Sequence, residues 1–275
     1  MDFLRRLVPN SSWGSGRGWI SITVAGGSLA VVKGIIWCIL DYKRFLALGP
    51  GGPPYNVFGW AVITFLIRPF TLAKQYTTWT GDYLGDDAHE EIKALPPRSG
   101  KRPTCDGIGP HRQLSQNAPE HVKESIRTLF ANAAIQNPTF LETRTSGYER
   151  RNSALFTTKD FLNRHNRAQG ASRLPEAVFL ARGEIGHAHE DTSSHLYVSR
   201  GDARILIEKG WAERHRLAVP RHYLVKNILG VADTYLIIYA PRDETEMVAL
   251  EVMLRRSITF MTGQEIDPIE WKVVI

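Results

Sequence analysis

The stretch EAVFLARGEIGHAHEDTSSHLYVS, residues 176–199, decides how the rest of this 275-residue chain is read. It holds two β-prone runs, EAVFLARGEIGHAH and SSHLYVS, on either side of Glu190-Asp191-Thr192-Ser193, whose composition suits a hairpin turn. On a strand, successive side chains point to opposite faces, so His187 and His189 share one face. His195, returning on the paired strand, joins them. Downstream, Asp202 is placed to cap a short helix, ARILIEK, which Gly210 closes. Thr234–Ala240 (TYLIIYA) reads as a buried strand. After Pro241 comes a helix with Asp243 as N-cap and Glu246 three residues on, running to about Thr259 with Val248, Val252 and Leu254. Upstream, a helix from Pro119 to about Gln136 carries Val122, Ile126, Leu129, Phe130 and Ala133 on one face, and Asn137-Pro138 stops it. Residues 81–118, rich in Pro, Gly and charge, read as a connecting or surface-wrapping segment. Strands and helices mix without a regular βαβ rhythm. The expected fold is α+β, a single compact soluble domain with a mixed or antiparallel sheet and flanking helices.

The N-terminus predicts something else. WISITVAGGSLAVVKGIIWCIL, Trp19–Leu40, has one charge, Lys33, in 22 residues, and Trp13, Trp19 and Trp37 lie near its ends. As a helix it rises about 33 Å against a hydrocarbon core of roughly 30 Å, which predicts an uncleaved N-terminal transmembrane helix. A second apolar run, Val57–Ile67, is too short to span. It reads either as an interfacial or re-entrant helix or as a core helix of the soluble domain. The organisation expected is therefore 1–50 anchor and flanks, 51–80 interfacial or re-entrant apolar segment, and 81–275 soluble domain.

Charge fits that division. The chain holds 34 Lys+Arg and 28 Asp+Glu, a net +6. Residues 1–50 hold six and two of these, leaving a nearly neutral body, so the basic character is a flank of the span and not a nucleic-acid footprint. Arg144, Arg150, Arg151, Arg164, Arg167 and Arg173 read as a solvated loop or a surface near anionic headgroups, and no nucleic-acid partner is expected. Composition excludes an intrinsically disordered chain, and two cysteines, Cys38 and Cys105, make no disulfide framework. The cysteine placement and the sequon at Asn10, which lies before the span, both favour a soluble part facing the cytosol, with the span in the endoplasmic reticulum membrane.

The chemistry-bearing residues cluster in Glu184-Ile185-Gly186-His187-Ala188-His189, His195 and Gly210-Trp211-Ala212-Glu213-Arg214-His215. Three readings stay open. His187, His189 and His195 with a carboxylate bind Fe²⁺, Zn²⁺ or another divalent ion. Alternatively a histidine acts as general base, with Arg214 or another imidazole stabilising developing negative charge. Or the histidines are satisfied structural groups of a hairpin. There is no P-loop, GxGxxG, GxSxG or CxxC sequence.

At these residues the sequence resembles the fungal luciferase family. The resemblance rests on Asp41-Tyr42 with Phe45-Leu46 and Gly49-Pro50, on Glu184-Ile185 with His187 and His189, on His195, and on Lys209-Gly210-Trp211 with Arg214-His215 and Leu217-Ala218. It continues through Tyr239-Ala240-Pro241-Arg242 and Met261-Thr262. The chain departs from the family at Ala212 and Arg216, and residues 219–233 form a longer segment. The resemblance implies an oxygenase of an electron-rich α-pyrone, 3-hydroxyhispidin: O₂ adds, a strained peroxide forms, CO₂ is lost and excited caffeylpyruvate emits light. It implies catalytic roles for His187, His189, His195, His215, Arg214 and Glu184, and substrate contacts from Trp211, Tyr239 and Arg242. It also implies no cofactor beyond O₂, with room left for a divalent metal. The partners expected are a lipid bilayer and a small aromatic or polyketide substrate. Set beside this are two alternatives, a metal-dependent hydrolase or ring-cleaving dioxygenase using the same histidines, and a non-catalytic membrane-tethered binding protein.

Overall fold

The computed structural model describes residues 16–85, 87–167, 174–220, 223 and 230–272, with the side chains of 16–27 and 166–167 outside the description. Residues 1–47 and 48–275 pack as separate units. In the first unit helix α1 (Gly16–Ala47) runs for 32 residues. Its described surface, residues 28–47, bears Lys33, Asp41, Lys43 and Arg44, and every window of spanning length within those residues holds all four charges. No helix among the described residues is long and apolar enough to cross a membrane. That finding overturns the expected transmembrane helix, and with it the expected single-pass placement in the endoplasmic reticulum membrane. Residues 19–27 of the expected span lie outside the described side chains, as do Trp13 and the Asn10 sequon outside the described residues.

The second unit is α+β, as its mixture of strands and helices predicts. After α2 (Val57–Ala61), capped by the Asn56 side chain accepting from the Phe58 and Gly59 amides, the chain passes into a π-helical turn, Val62–Ile67. The segment expected as a connector contains α3 (Glu90–Ala94) and an antiparallel pair, β1 (Cys105–Gly107) and β2 (His111–Gln113). Helix α4 (Glu120–Gln136) follows and buries Val122, Ile126, Leu129, Phe130 and Ala133, the face its periodicity predicts. Strands β3 (Leu141–Thr145) and β4 (Ser153–Thr157) precede the short helix α5 (Lys159–Arg167). EAVFL, read as β-prone, is instead helix α6 (Glu176–Leu180). Pro175 at its N-cap and the Gly183 turn set it apart from the strand.

The remaining elements are β5 (Glu184–Ala188), β6 (Ser194–Tyr197), α7 (Arg200–Glu208), β7 (Ala212–Arg214), β8 (Tyr235–Ile238) and α8 (Glu244–Thr262). Ser199, not Asp202, caps α7 by accepting from the Asp202 amide, while Asp202 accepts from the His89 amide. Asp243 caps α8 by accepting from the Glu246 amide, as the sequence predicts.

Six strands form one antiparallel sheet in the order β3-β4-β5-β6-β8-β7. Its register sorts side chains cleanly. Leu196 pairs with Leu236 and Arg214 pairs with Leu236, so these three share one face; His187 pairs with His195 and His195 with Ile237 on the other. Helices α4 and α8 pack on the sheet, α4 against β3, β4 and β5 and α8 against β5 and β6. The core joins Leu196 and Leu236 to Ile126, Leu129, Leu250 and Leu254, all buried. Each such aliphatic side chain contributes on the order of 2 kcal/mol by leaving water.

Candidate active site

On the face away from α4 and α8, five imidazoles converge. His187 and His195 stand directly opposite on β5 and β6 with ring centroids 5.4 Å apart. His189 lies 5.0 Å from His187 and 4.6 Å from His195. His215, just past β7, is 4.9 Å from His195, and His111 on β2 is 4.7 Å from His215 and 5.5 Å from His195. All five are buried. Gly186 lets β5 and β6 approach: a Cβ there would meet the His195 carbonyl oxygen at 2.3 Å.

Each ring is held by a defined partner. His187 Nδ1 is 2.7 Å from Glu184 Oε1, and that carboxylate also accepts from Ser146 Oγ (2.8 Å) and the Gly147 amide (2.8 Å). Strand alternation alone would turn Glu184 away from His187. A register shift, in which Leu155 pairs with Gly186 but Phe156 with Glu184, inserts Ile185 as an extra residue and brings the carboxylate round. His189 Nδ1 lies 2.9 Å from Ser193 Oγ, which donates to Asp191 Oδ1 at 2.5 Å. His195 Nδ1 donates to the Leu236 carbonyl at 2.9 Å. His215 Nδ1 accepts from the Leu217 amide at 3.0 Å. Burial, the largest influence on each, drives His189, His195 and His215 well below the ordinary histidine range, and neighbouring cations and imidazoles add to it. His111 is brought down to about 3, again chiefly by burial. These rings are neutral at neutral pH.

The cluster opens on a cavity of about 390 Å³, within the range of small-molecule sites. Ile63 and Ile67 of the π-helical turn, Ile108, Leu217 and Val231 form its apolar wall. His111, His187, His195 and His215 line it with Tyr148, Glu149 and Tyr235. Tyr235 stacks on His195 (4.7 Å, 27°) and on Tyr197 (4.4 Å), and burial raises its pKa well above the ordinary phenol range. Among the described residues, the Tyr235 hydroxyl and His111 Nδ1 are buried without a hydrogen-bond partner. Glu149 is held by Arg112 in a two-pronged ion pair at 2.9 and 2.7 Å.

Of the residues singled out from sequence, His187, His189, His195, His215 and Glu184 come together here. The others lie elsewhere. Arg214 shares the Leu236 face and is fully buried, donating to Asp82 Oδ1 at 2.6 Å and to the Ala218 carbonyl, with its guanidinium 4.4 Å over the Tyr83 ring. Trp211 donates through Nε1 to the Pro96 carbonyl at 2.8 Å, Tyr239 donates to Glu213 at 2.9 Å, and Arg242 is tied to Glu246 and Ser99. None of these four lines the cavity. His111 and Tyr235 were not anticipated. His111 sits in Gly109-Pro110-His111-Arg112, whose composition reads as a connector, and only the β1–β2 pairing carries it to the site. Tyr235 is hidden in an apolar strand, and its parity with Ile237 was the available signal.

A sequence model described as Luciferase domain matches residues 182–257, a segment that contains His187, His189, His195, His215 and Tyr235 but not His111. Luciferase from Armillaria mellea is 26% identical over 254 residues, covering 89% of both chains. Luciferase from Neonothopanus nambi is 28% identical over 239 residues, 81% of this chain and 80% of its own. This chain is similar to the fungal luciferases. The similarity to the luciferases covers far more of the chain than the matched segment and takes in the region that supplies His111. No solved structure matches the chain.

Proposed function

We propose that this chain is a luciferase-like, O₂-dependent oxidoreductase that oxygenates an enolic α-pyrone of the 3-hydroxyhispidin type with loss of CO₂. The observation that carries this reading is the convergence of four buried imidazoles and an unpartnered tyrosine hydroxyl on one apolar-walled cavity, with His189 packed behind them, in a chain similar to the luciferases. The overall change, substrate plus O₂ giving keto acid plus CO₂, consumes no external reductant. An enol must lose its proton before it reacts with O₂. Neutral imidazoles on the cavity wall offer lone pairs for that proton. A buried imidazolium is costly by itself, and the enolate formed beside it offsets part of that cost. The Tyr235 hydroxyl, kept protonated by burial, is a donor for the peroxide oxygen. In this reading the donor is Tyr235 and not Arg214, whose guanidinium is engaged by Asp82 on the opposite face. Isoleucine and valine walls suit a flat aromatic substrate and hold water away from a hydrolysable peroxide.

The test is O₂ uptake and CO₂ release by the purified chain with 3-hydroxyhispidin. Wild type should turn over, and His187→Ala and His189→Ala should each fall by roughly 10²–10⁴-fold while retaining the native circular dichroism spectrum. Uptake in folded wild type no greater than in these variants would overturn the reading.

A further inference from the structure

Nitrogen lone pairs inside the histidine cluster are left facing one another. The Leu236 carbonyl can only accept, so His195 carries its proton on Nδ1 and presents a bare Nε2. The Glu184 carboxylate, already accepting from Ser146 and Gly147, assigns the proton of His187 to Nδ1 as well. Ser193 Oγ gives its single proton to Asp191, so it accepts from His189, which puts that proton on Nδ1 too. The neutral rings of His189 and His195 therefore present unprotonated Nε2 atoms toward the Nε2 of His187. His187 Nε2 and His189 Nε2 are 3.2 Å apart, with both rings buried. Two lone pairs at that distance repel unless a proton or a metal ion lies between them, and the rest of the geometry points to the metal ion.

The spacing matches ligands of one ion. Two imidazole nitrogens about 2.1 Å from a metal, separated by about 100°, stand roughly 3.2 Å from each other. The ligand nitrogens of His187, His189 and His195 all lie within 4.8 Å of one another. Their outer nitrogens are bonded to a carboxylate, a hydroxyl relayed to a carboxylate, and a backbone carbonyl. These are the supports that orient metal-binding imidazoles and raise their basicity. Glu184, Asp191 and Glu149, the last 3.8 Å from His189 Nε2, supply compensating negative charge. The neighbouring trio His111, His195 and His215 lacks this property. His215 Nδ1 accepts from Leu217, so its Nε2 carries the proton and offers no lone pair.

We propose that His187, His189 and His195 bind one divalent first-row transition-metal cation through their Nε2 atoms. Three neutral imidazoles without thiolate select the ions that nitrogen ligands favour, Fe²⁺, Co²⁺, Ni²⁺, Cu²⁺ or Zn²⁺, over Ca²⁺ or Mg²⁺. The bound cation borders the cavity at His187 and His195, where an enolate oxygen would meet it. This deepens the oxygenase reading at the same site. With those three lone pairs engaged, His111 Nδ1 is the cavity imidazole nitrogen left to accept a proton.

The experiment reads metal without substrate. Elemental analysis of the full chain should find close to one transition-metal ion per molecule. After chelator treatment, Co²⁺ should restore visible absorption that saturates at one equivalent, and Mg²⁺ should not compete. His189→Ala and His187→Ala should lose both signals, whereas His111→Asn should keep them. The wild-type Co²⁺ spectrum stands by itself should a variant fail to fold. Folded wild type that purifies metal-free and gives no Co²⁺ bands at about tenfold excess would overturn the site and leave a shared proton between His187 and His189. Co²⁺ bands of equal strength in the histidine variants would overturn the ligand assignment. Stoichiometric Co²⁺ binding without pyrone oxygenation would refute the oxygenase reading alone, and oxygenation by rigorously metal-free protein would refute the metal's place in it.

Discussion

The two faces of the six-stranded sheet are made by alternate residues of the same strands and end in opposite physical states. Leu196 and Leu236 turn to α4 and α8, where burial needs no partner and aliphatic surface leaves water directly. One residue along, His195 and Tyr235 turn to a cavity, where each buried nitrogen and oxygen needs a partner, and His111 Nδ1 and the Tyr235 hydroxyl have none among the described residues. The contrast is sharpest at Arg214 and His215. They are sequence neighbours, both buried, yet Arg214 falls on the helical face in an ion pair with Asp82 and His215 falls on the cavity. Polarity does not mark the site, since the helical face buries an arginine. What marks it is that its polar groups line a cavity a small molecule can enter, whereas Arg214 is enclosed.

Breaking the comparison at Arg214 should have the largest effect. Arg214→Met strands Asp82 beside an apolar core, and should lower unfolding free energy in urea by about 3–5 kcal/mol while O₂ uptake per folded molecule stays near wild type. A large drop in turnover of the folded variant would return Arg214 to the chemistry. Leu236→Ala on the same face should cost about 2–5 kcal/mol through a cavity, again without loss of turnover per folded molecule. If its unfolding midpoint in urea were unchanged, the helical face would not be the stabilising one.

The histidine face should answer to pH instead. His111 has a folded pKa of about 3 against an ordinary value of 6.5. Between those values the unfolded chain binds the proton and the native chain does not, so stability rises with pH and is lost as pH falls below about 6.5. The slope is on the order of 1 kcal/mol per pH unit for this group. Urea unfolding from pH 7 to 5 should show the decline, and His111→Asn should flatten it by about that amount. An unchanged slope would mean that His111 is solvated in the native state. The smallest effect is expected at Tyr235→Phe, which keeps the stack on His195 and removes only the unpartnered hydroxyl. Turnover should fall by roughly tenfold, and stability should hold or improve because a buried unsatisfied group is gone.

Much of this was legible in the chain. H-x-H on a strand with a third histidine across a turn is a period-two statement, and the sheet honours it. The buried face of α4 and the Asp243 cap of α8 follow equally local rules. The misses have physical causes as well. EAVFL is apolar enough for a strand, but Pro175 and the Gly183 turn detach it as a helix. Arg214 was drawn to the chemistry by its neighbour His215, and one step of strand parity separates them. The apolar N-terminal run suggested a span, but the described part of α1 is too charged to be one.

By itself, the sequence determined the composition of each strand, the shared face of His187 and His189, the α+β class and the likeness to the luciferases. Those properties are local or statistical, set by alternation, capping and residue identity over a few positions. Only the tertiary structure decided which face Arg214 takes, that Glu184 is turned onto His187 by an inserted Ile185, and that His111 arrives from a hairpin 76 positions before His187. Register and long-range pairing depend on contacts between residues far apart in the chain. The proton positions on His187, His189 and His195 are set by those same contacts, through a carbonyl on β8 and carboxylates at Glu184 and Asp191.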